Sequence, residues 1–178
     1  LDDLIRQGKV RYIGCSNHAA WRVADAHWTA TTKGLNRFVS AQDEYSLLVR
    51  GVEKELTPAL DHCGMGLLPY FPLASGLLTG KYERNKPMPA GTRLANTQRL
   101  ADRYMTDANW PKVEKLADFA AARGKTMVEL AFSWLVAHPV VSSVIAGATK
   151  PEQIDANVKA VGWALSADEM AEIGKITA

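Results

Sequence analysis

The chain has 178 residues, with 21 basic and 19 acidic side chains, a formal charge of +2 and 47% hydrophobic residues. That length and composition describe one ordinary globular domain, able to bury roughly 70% of its unfolded surface without disulfide or metal staples. The near-zero charge excludes a strongly basic nucleic-acid face, and no apolar run approaches the roughly 18 to 20 residues of a membrane span.

The start, Leu1-Asp2-Asp3-Leu4-Ile5, does not read as a signal peptide and lacks an initiator methionine. It reads as the middle of a helix, so a fragment of a longer protein is expected. Leu1, Leu4 and Ile5 share a helical face that Gly8 ends. Val10 to Cys15 predicts a short, mostly buried strand, and Ser16 and Asn17 are residues of helix-capping type. A helix through Trp21, Val23, Ala24 and Trp28 follows, then a second strand over residues 38–42. Residues 52–62 predict a helix that Pro58 starts, kinks or divides, and Gly64 closes it. Gly66 to Phe71 is a third strand, whose Pro69 fits a strand end or bulge.

Lys81 to about Thr97 is polar and proline-bearing, long enough to be a functional loop. Two helices come next. One carries Val113, Leu116, Ala117 and Ala120 and ends at Gly124; the other opens on the capping box Thr126-x-x-Glu129 and stops before Pro139. Val140 to Ile145 is a fourth strand. Helices over residues 152–161 and 167–176 end the chain, the last capped by Ser166. Strands alternating with helices predict four βα units on a parallel sheet. The Gly-x-Gly-x-x-Gly fingerprint of a doubly wound dinucleotide fold is absent, and an eight-stranded barrel needs about 250 residues, so the chain supplies half of one.

Chemistry concentrates just after the strands. Ile145-Ala146-Gly147-Ala148-Thr149-Lys150-Pro151-Glu152-Gln153 ends a strand and opens a helix, with Thr149-x-x-Glu152 as a capping box. Free N–H groups and the helix dipole would hold an anion there, most simply a phosphate beside Lys150. A capped helix that binds nothing accounts for the same residues equally well. Tyr70 to Lys81 offers an aromatic ring for stacking, glycines that admit close backbone approach, and a lysine; a core tyrosine and a tight loop is the plainer account. Gln42 and Tyr45 can bond a ligand amide or each other, and Ser16 and Asn17 can do so or cap a helix. His18, His27, His62 and His138 have no metal spacing, and surface or satisfied positions are expected. Glu53-Lys54-Glu55 reads as a solvated helix face. No nucleophile elbow and no phosphate loop occurs, so a ligand site is better supported than a catalytic one.

Four segments in order resemble the aldo-keto reductases over essentially the whole chain. They are Gly8 to Asn17 (GKVRYIGCSN), Gln42 with Glu44-Tyr45-Ser46-Leu47-Leu48, Pro72 to Tyr82 (PLASGLLTGKY) with Gly91-Thr92-Arg93, and Gly147 to Asn157 (GATKPEQIDAN). The phrasing is similar to the bacterial, channel-beta-subunit-like branch. The resemblance implies an α/β fold that is the C-terminal half of a TIM (β/α)₈ barrel, strands five to eight, plus extra C-terminal helices. The whole chain would be one partial domain without its N-terminal half.

The resemblance also implies a cofactor, NADPH. Ser16, Asn17 and Gln42 would hold the nicotinamide carboxamide and Tyr70 would stack on its ring. Phe71, Pro72, Leu73, Ser75 and Lys81 would line the pyrophosphate, with Arg93 on a loop closing over it. Gly147, Thr149, Lys150, Gln153 and Asn157 would bind the adenosine end and its 2′-phosphate. The family's Asp, Tyr, Lys and His tetrad belongs to the first four units, so no catalytic residue is assigned here. The parent would reduce a small-molecule aldehyde or ketone, while the isolated chain would be inactive and self-associate. A nucleotide-binding regulatory module is the alternative reading, and an unrelated phosphate-binding barrel a distant third. Nucleic acid, membrane insertion and bound metal are not expected.

Overall fold

The computed structural model describes residues 1–178. Helix α1 (Asp2–Arg6) leads to strand β1 (Gly14–Ser16), helix α2 (Ala20–Thr32), strand β2 (Ser40–Glu44), helix α3 (Leu56–Cys63) and strand β3 (Gly66–Tyr70). Then come helices α4 (Arg93–Asn96), α5 (Gln98–Tyr104), α6 (Trp110–Ala121), α7 (Met127–Val136), α8 (Pro151–Lys159) and α9 (Ala167–Thr177). The strands form one parallel sheet in the order β1-β2-β3, with Gly14 opposite Ser40 and Ser40 opposite Gly66. This is the sequential arrangement that successive βα units produce.

The sheet has one packed face and one open face. Cys15, Ala41, Asp43 and Leu67 point to the packed face and are each at most 8% exposed. Leu60, Leu116, Leu130 and Trp134 from α3, α6 and α7 join them in one core. The alternate residues Ser16, Gln42, Leu68 and Tyr70 line the open face, as the two-residue period of a strand requires. Gly14 is confined by its neighbour: a Cβ there would lie 2.8 Å from the Ser40 carbonyl oxygen.

Several expectations change. The first strand begins only at Gly14, and Val10 and Tyr12, expected to be buried, are 36% and 75% exposed because nothing packs over the outer edge of β1. Ser16 and Asn17 do not cap α2, whose N-cap is Ala19 with no side-chain bond. The helix over 52–62 divides into a 3-10 turn (Gly51–Glu53) and α3, with Pro58 inside the first turn of α3 and a left-handed Gly64 closing it. Pro69 sits inside β3 rather than at its end. Its carbonyl accepts from Ile145, and the residues of a parallel strand turn N–H and C=O to the same side, so its missing donor faces the segment over 140–145.

That segment is not a full strand. It runs beside β3 through one parallel bridge, Leu67 with Val141, and through bonds from Leu67 N–H to Val140 and from Ser142 N–H to Leu67. The Thr149-x-x-Glu152 box is also not formed: Lys150 is the N-cap of α8, and Gln153 accepts from the Thr149 N–H (2.6 Å) and hydroxyl (3.2 Å) instead. The boxes Thr126 with Glu129 and Ser166 with Glu169 are complete. Helices α4 and α5 were not foreseen; the 81–97 stretch is irregular only as far as Thr92.

Candidate functional site

Three groups of side chains gather at the C-terminal end of the strands, where parallel α/β sheets keep their binding sites. The first group lies on the open sheet face. Ser16 Oγ donates to the Gln42 carbonyl (2.8 Å), Asn17 Nδ2 to Ser16 Oγ (3.0 Å) and the Tyr70 hydroxyl to Asn17 Oδ1 (2.8 Å). Asn17 is left-handed, with φ +56°, and its N–H bonds the Gln42 carbonyl at 3.2 Å. The set is therefore one connected unit across β1, β2 and β3. The side-chain amide of Gln42 is exposed and makes no bond within the protein, which leaves a donor and an acceptor aimed outward. Tyr45 stands on the packed face, 1% exposed, and bonds Glu53, so it neither meets Gln42 nor reaches this face.

The second group follows β3. Phe71, Ala74 and Ser75 all have positive φ, followed by Gly76 at +102° and Gly80 at +79°. Left-handed non-glycine residues cost of order 1–3 kcal/mol each and cluster where a chain is shaped around a ligand. Gly76 is favoured by its positive φ, and a Cβ there would only nudge the mobile end of Lys81, whose Nζ would lie 3.3 Å away and which sits 5.3 Å from the Tyr82 ring centre. Arg93, the first residue of α4, places its guanidinium 4.9 Å from the Phe71 ring centre. Pro72 is buried and Leu73 half-buried; the Ser75 hydroxyl is buried without a partner.

The third group belongs to the last unit. Gly147, Thr149, Lys150 and Gln153 are exposed and Asn157 half-buried. The 2.9 Å bond from Ile145 N–H to Pro69 O joins this unit to β3 one residue before Tyr70. Lys150 has no acidic partner, and Thr149 and Gln153 satisfy each other.

Sequence reasoning missed the groups that hold this end of the sheet. Glu44 ends β2 on the open face and accepts from both Arg103 and the Tyr104 hydroxyl of α5. Burial pushes the Tyr104 phenol up, and its hydrogen bond to Glu44 reinforces the shift. The Tyr70 phenol is also raised, by burial and then by the nearby Glu44 and Asp43 carboxylates. Asp43 itself is pushed up to about 6 by burial, against the pull of the Asn17 N–H and His18. The two-residue spacing of Gln42 and Glu44 was the available signal for a shared face. Nothing local announced α5.

On the packed side, Arg50 donates to both oxygens of Glu53 (2.7 and 2.8 Å) and to Thr177 of α9, and Tyr45 donates to Glu53 at 2.8 Å. Glu53 is thus no solvated face residue. Burial depresses the His138 imidazole, and neither His138 Nε2 nor His27 Nδ1 has a partner, so these two histidines are not satisfied. No group of three or more acidic, His or Cys side chains is placed to hold a metal ion. No helix is long and apolar enough to cross a membrane.

Comparison with known proteins gives the arrangement a relationship. Protein tas of Escherichia coli is 36% identical over 168 residues, covering 94% of this chain and 48% of its own length. The L-glyceraldehyde 3-phosphate reductase of E. coli O157:H7 is 34% identical, covering 95% and 50%. A rice protein named "Probable voltage-gated potassium channel subunit beta" is 39% identical, covering 89% and 49%. The chain thus spans about half the length of the curated relatives it matches. The sequence profile of the Aldo/keto reductase family matches residues 1–178, and with these relatives and this parallel α/β fold the chain belongs to that family of oxidoreductases.

Proposed function

We propose that the chain is the cofactor-binding half of an NADPH-dependent carbonyl reductase: four βα units, strands five to eight of a (β/α)₈ barrel, with α9 added at the C-terminus. The observation that carries this reading is the connected Ser16–Asn17–Gln42–Tyr70 set on the open sheet face. Gln42 has an unused amide, and Asn17 and Ser16 are fixed by Tyr70 and the Gln42 backbone, so a planar carboxamide meets preset partners. The left-handed turn from Phe71 to Gly76 curls the backbone into a concave bend that suits the pyrophosphate of a dinucleotide. Lys81 and Arg93 add positive charge on either side. Lys150, with no acidic partner at the start of α8, suits the 2′-phosphate that distinguishes NADPH from NADH.

When bound, NADPH supplies the hydride that an aldehyde or ketone accepts. The residues of this chain bind and orient: Tyr70 offers one ring face, and its hydroxyl is held by Asn17. None of them matches the family's Asp, Tyr, Lys and His tetrad. Proton donation to the carbonyl oxygen is therefore assigned to the polypeptide that completes the barrel, and the 178-residue chain alone is proposed to be inactive and cytoplasmic. A regulatory nucleotide-binding module is the second reading, favoured by the similarity to proteins named as channel beta subunits.

Fluorescence titration of the chain with NADPH and NADH, beside Lys150→Ala and Tyr70→Ala, tests the site. NADPH is expected to bind more tightly than NADH. Lys150→Ala should remove the preference and Tyr70→Ala should weaken both. A folded chain that binds neither nucleotide refutes the assignment. For the longer protein, NADPH oxidation by a panel of aldehydes separates the reductase from the regulatory module.

A further inference from the structure

Residues 71–105 form an arm that leaves β3, carries Lys81 and Arg93, and returns to the sheet through α5. The only hydrogen bonds by which this arm holds any residue earlier in the chain end on one carboxylate. Glu44 accepts from Arg103 with one oxygen and from the Tyr104 hydroxyl with the other. Glu44 is the last residue of the central strand β2, two positions after Gln42 on the open face and opposite Tyr70 in the register. Its side chain is nevertheless only 10% exposed, because α5 lies over it. A carboxylate so far removed from water is costly unless paired, and here both oxygens are used. Tyr104 is itself buried, and α4 and α5 both pack on the 3-10 turn Ala74–Thr79 that continues the left-handed run after Phe71. Apolar packing also holds the arm, since Leu77, Leu78 and Leu94 are fully buried. Such packing is non-directional, whereas two charge-assisted bonds to one carboxylate set both a distance and an orientation.

We propose that Glu44 is a positioning residue for the dinucleotide: through Arg103 and Tyr104 it sets the spacing between the Ser16–Asn17–Gln42–Tyr70 group on the sheet and the arm that carries Lys81 and Arg93. The proposal rests on the cofactor reading above and adds to it a residue that acts through α5. A ligand that spans both groups binds more tightly when their separation is fixed beforehand, because each engagement after the first is then intramolecular and needs no further ordering. Arg103 has a second effect. It neutralises a carboxylate whose charge is felt at the site, since the Tyr70 phenol is raised by burial and then by Glu44. With Arg103 removed, an uncompensated negative charge would stand beside an anionic ligand.

Titration of the 178-residue chain with NADPH and, separately, with adenosine 2′-monophosphate tests it, because the smaller ligand reaches only the group around Lys150. Glu44→Gln keeps the volume but turns an amino group toward one of the two donors. It should raise the NADPH Kd about tenfold and leave the adenosine 2′-monophosphate Kd within about twofold. A general loss of structure would weaken both ligands together. Arg103→Met should weaken NADPH further, and the double variant Glu44→Gln/Arg103→Met should bind it more tightly than Arg103→Met alone, since no bare carboxylate remains. In the nucleotide-free chain, Glu44→Gln should speed amide exchange over residues 81–105 by at least about tenfold and leave α9 unchanged. Tyr104→Phe removes one bond and keeps the ring; it should raise the NADPH Kd about threefold, and it carries the test if Glu44→Gln loses its circular dichroism. Equal losses for the two ligands, a double variant no better than Arg103→Met, or an arm whose exchange does not change overturns the proposal and leaves the cofactor reading in place. A folded chain that binds neither ligand overturns the cofactor reading and this proposal with it.

Discussion

Replacing Glu53 by glutamine tests how the loop after β2 is tied to the C-terminal helix. Glu53 accepts two bonds from Arg50 and one from Tyr45, while Arg50 also reaches Thr177. The Arg50 and Glu53 side chains are 28% and 29% exposed, so water screens the pair only in part. An exposed pair contributes about 0.2–1 kcal/mol, and breaking a fully buried one costs about 3–5 kcal/mol. Glu53→Gln keeps the volume, removes the charge and turns an amino group toward the guanidinium, so a loss of about 2–3 kcal/mol is expected. With a urea slope of about 2 kcal/mol/M, the unfolding midpoint should fall by about 1–1.5 M. The pH dependence has a definite sign. Burial alone would raise the Glu53 carboxyl, but the bonds from Arg50 and Tyr45 outweigh it and hold it below its usual value of 4.5. Its stabilisation is therefore present above that value and lost as pH falls through the depressed one, and the variant should lack that loss. The assay is urea unfolding by circular dichroism at one fixed protein concentration, from pH 3 to 7. A midpoint shift under about 0.2 M at pH 7, with parallel acid limbs, would refute the reasoning.

Asp43 carries the opposite sign: burial pushes it up to about 6, so its protonated form suits the fold, and stability should decline as pH rises from about 4 through 6. Asp43→Asn should match the parent below pH 4 and exceed it by up to about 3 kcal/mol at pH 7, read from urea midpoints. Gly14→Ala places a methyl 2.8 Å from the Ser40 carbonyl oxygen and should force β1 from β2, seen as faster amide exchange over residues 14–17 and 40–42. Thr126→Ala removes the cap of α7 and should cost about 1 kcal/mol, measured by thermal unfolding.

The sequence by itself determined the parts whose causes are local. The order of βα units, the helices α6 and α7, the Thr126 box and the Gly64 stop follow from periodicity and capping, which a few neighbouring residues decide. The residues that carry the family resemblance likewise lie in short contiguous runs. What needed the tertiary structure is whatever depends on a distant partner. Val10 to Ile13 has the composition of a strand, yet no neighbour covers the outer edge of β1, so only Gly14 to Ser16 pair. Ser16 and Asn17 look like a helix cap, but the bonds to Gln42 and Tyr70 draw them onto the sheet. Thr149 and Glu152 have box spacing, and Gln153 takes the Thr149 N–H instead. Glu44 with Tyr104, and Arg50 with Thr177, join residues 60 and 127 positions apart. Local spacing carries no information about such pairs, because the chain must close a long loop and bury the partners together before the interaction exists.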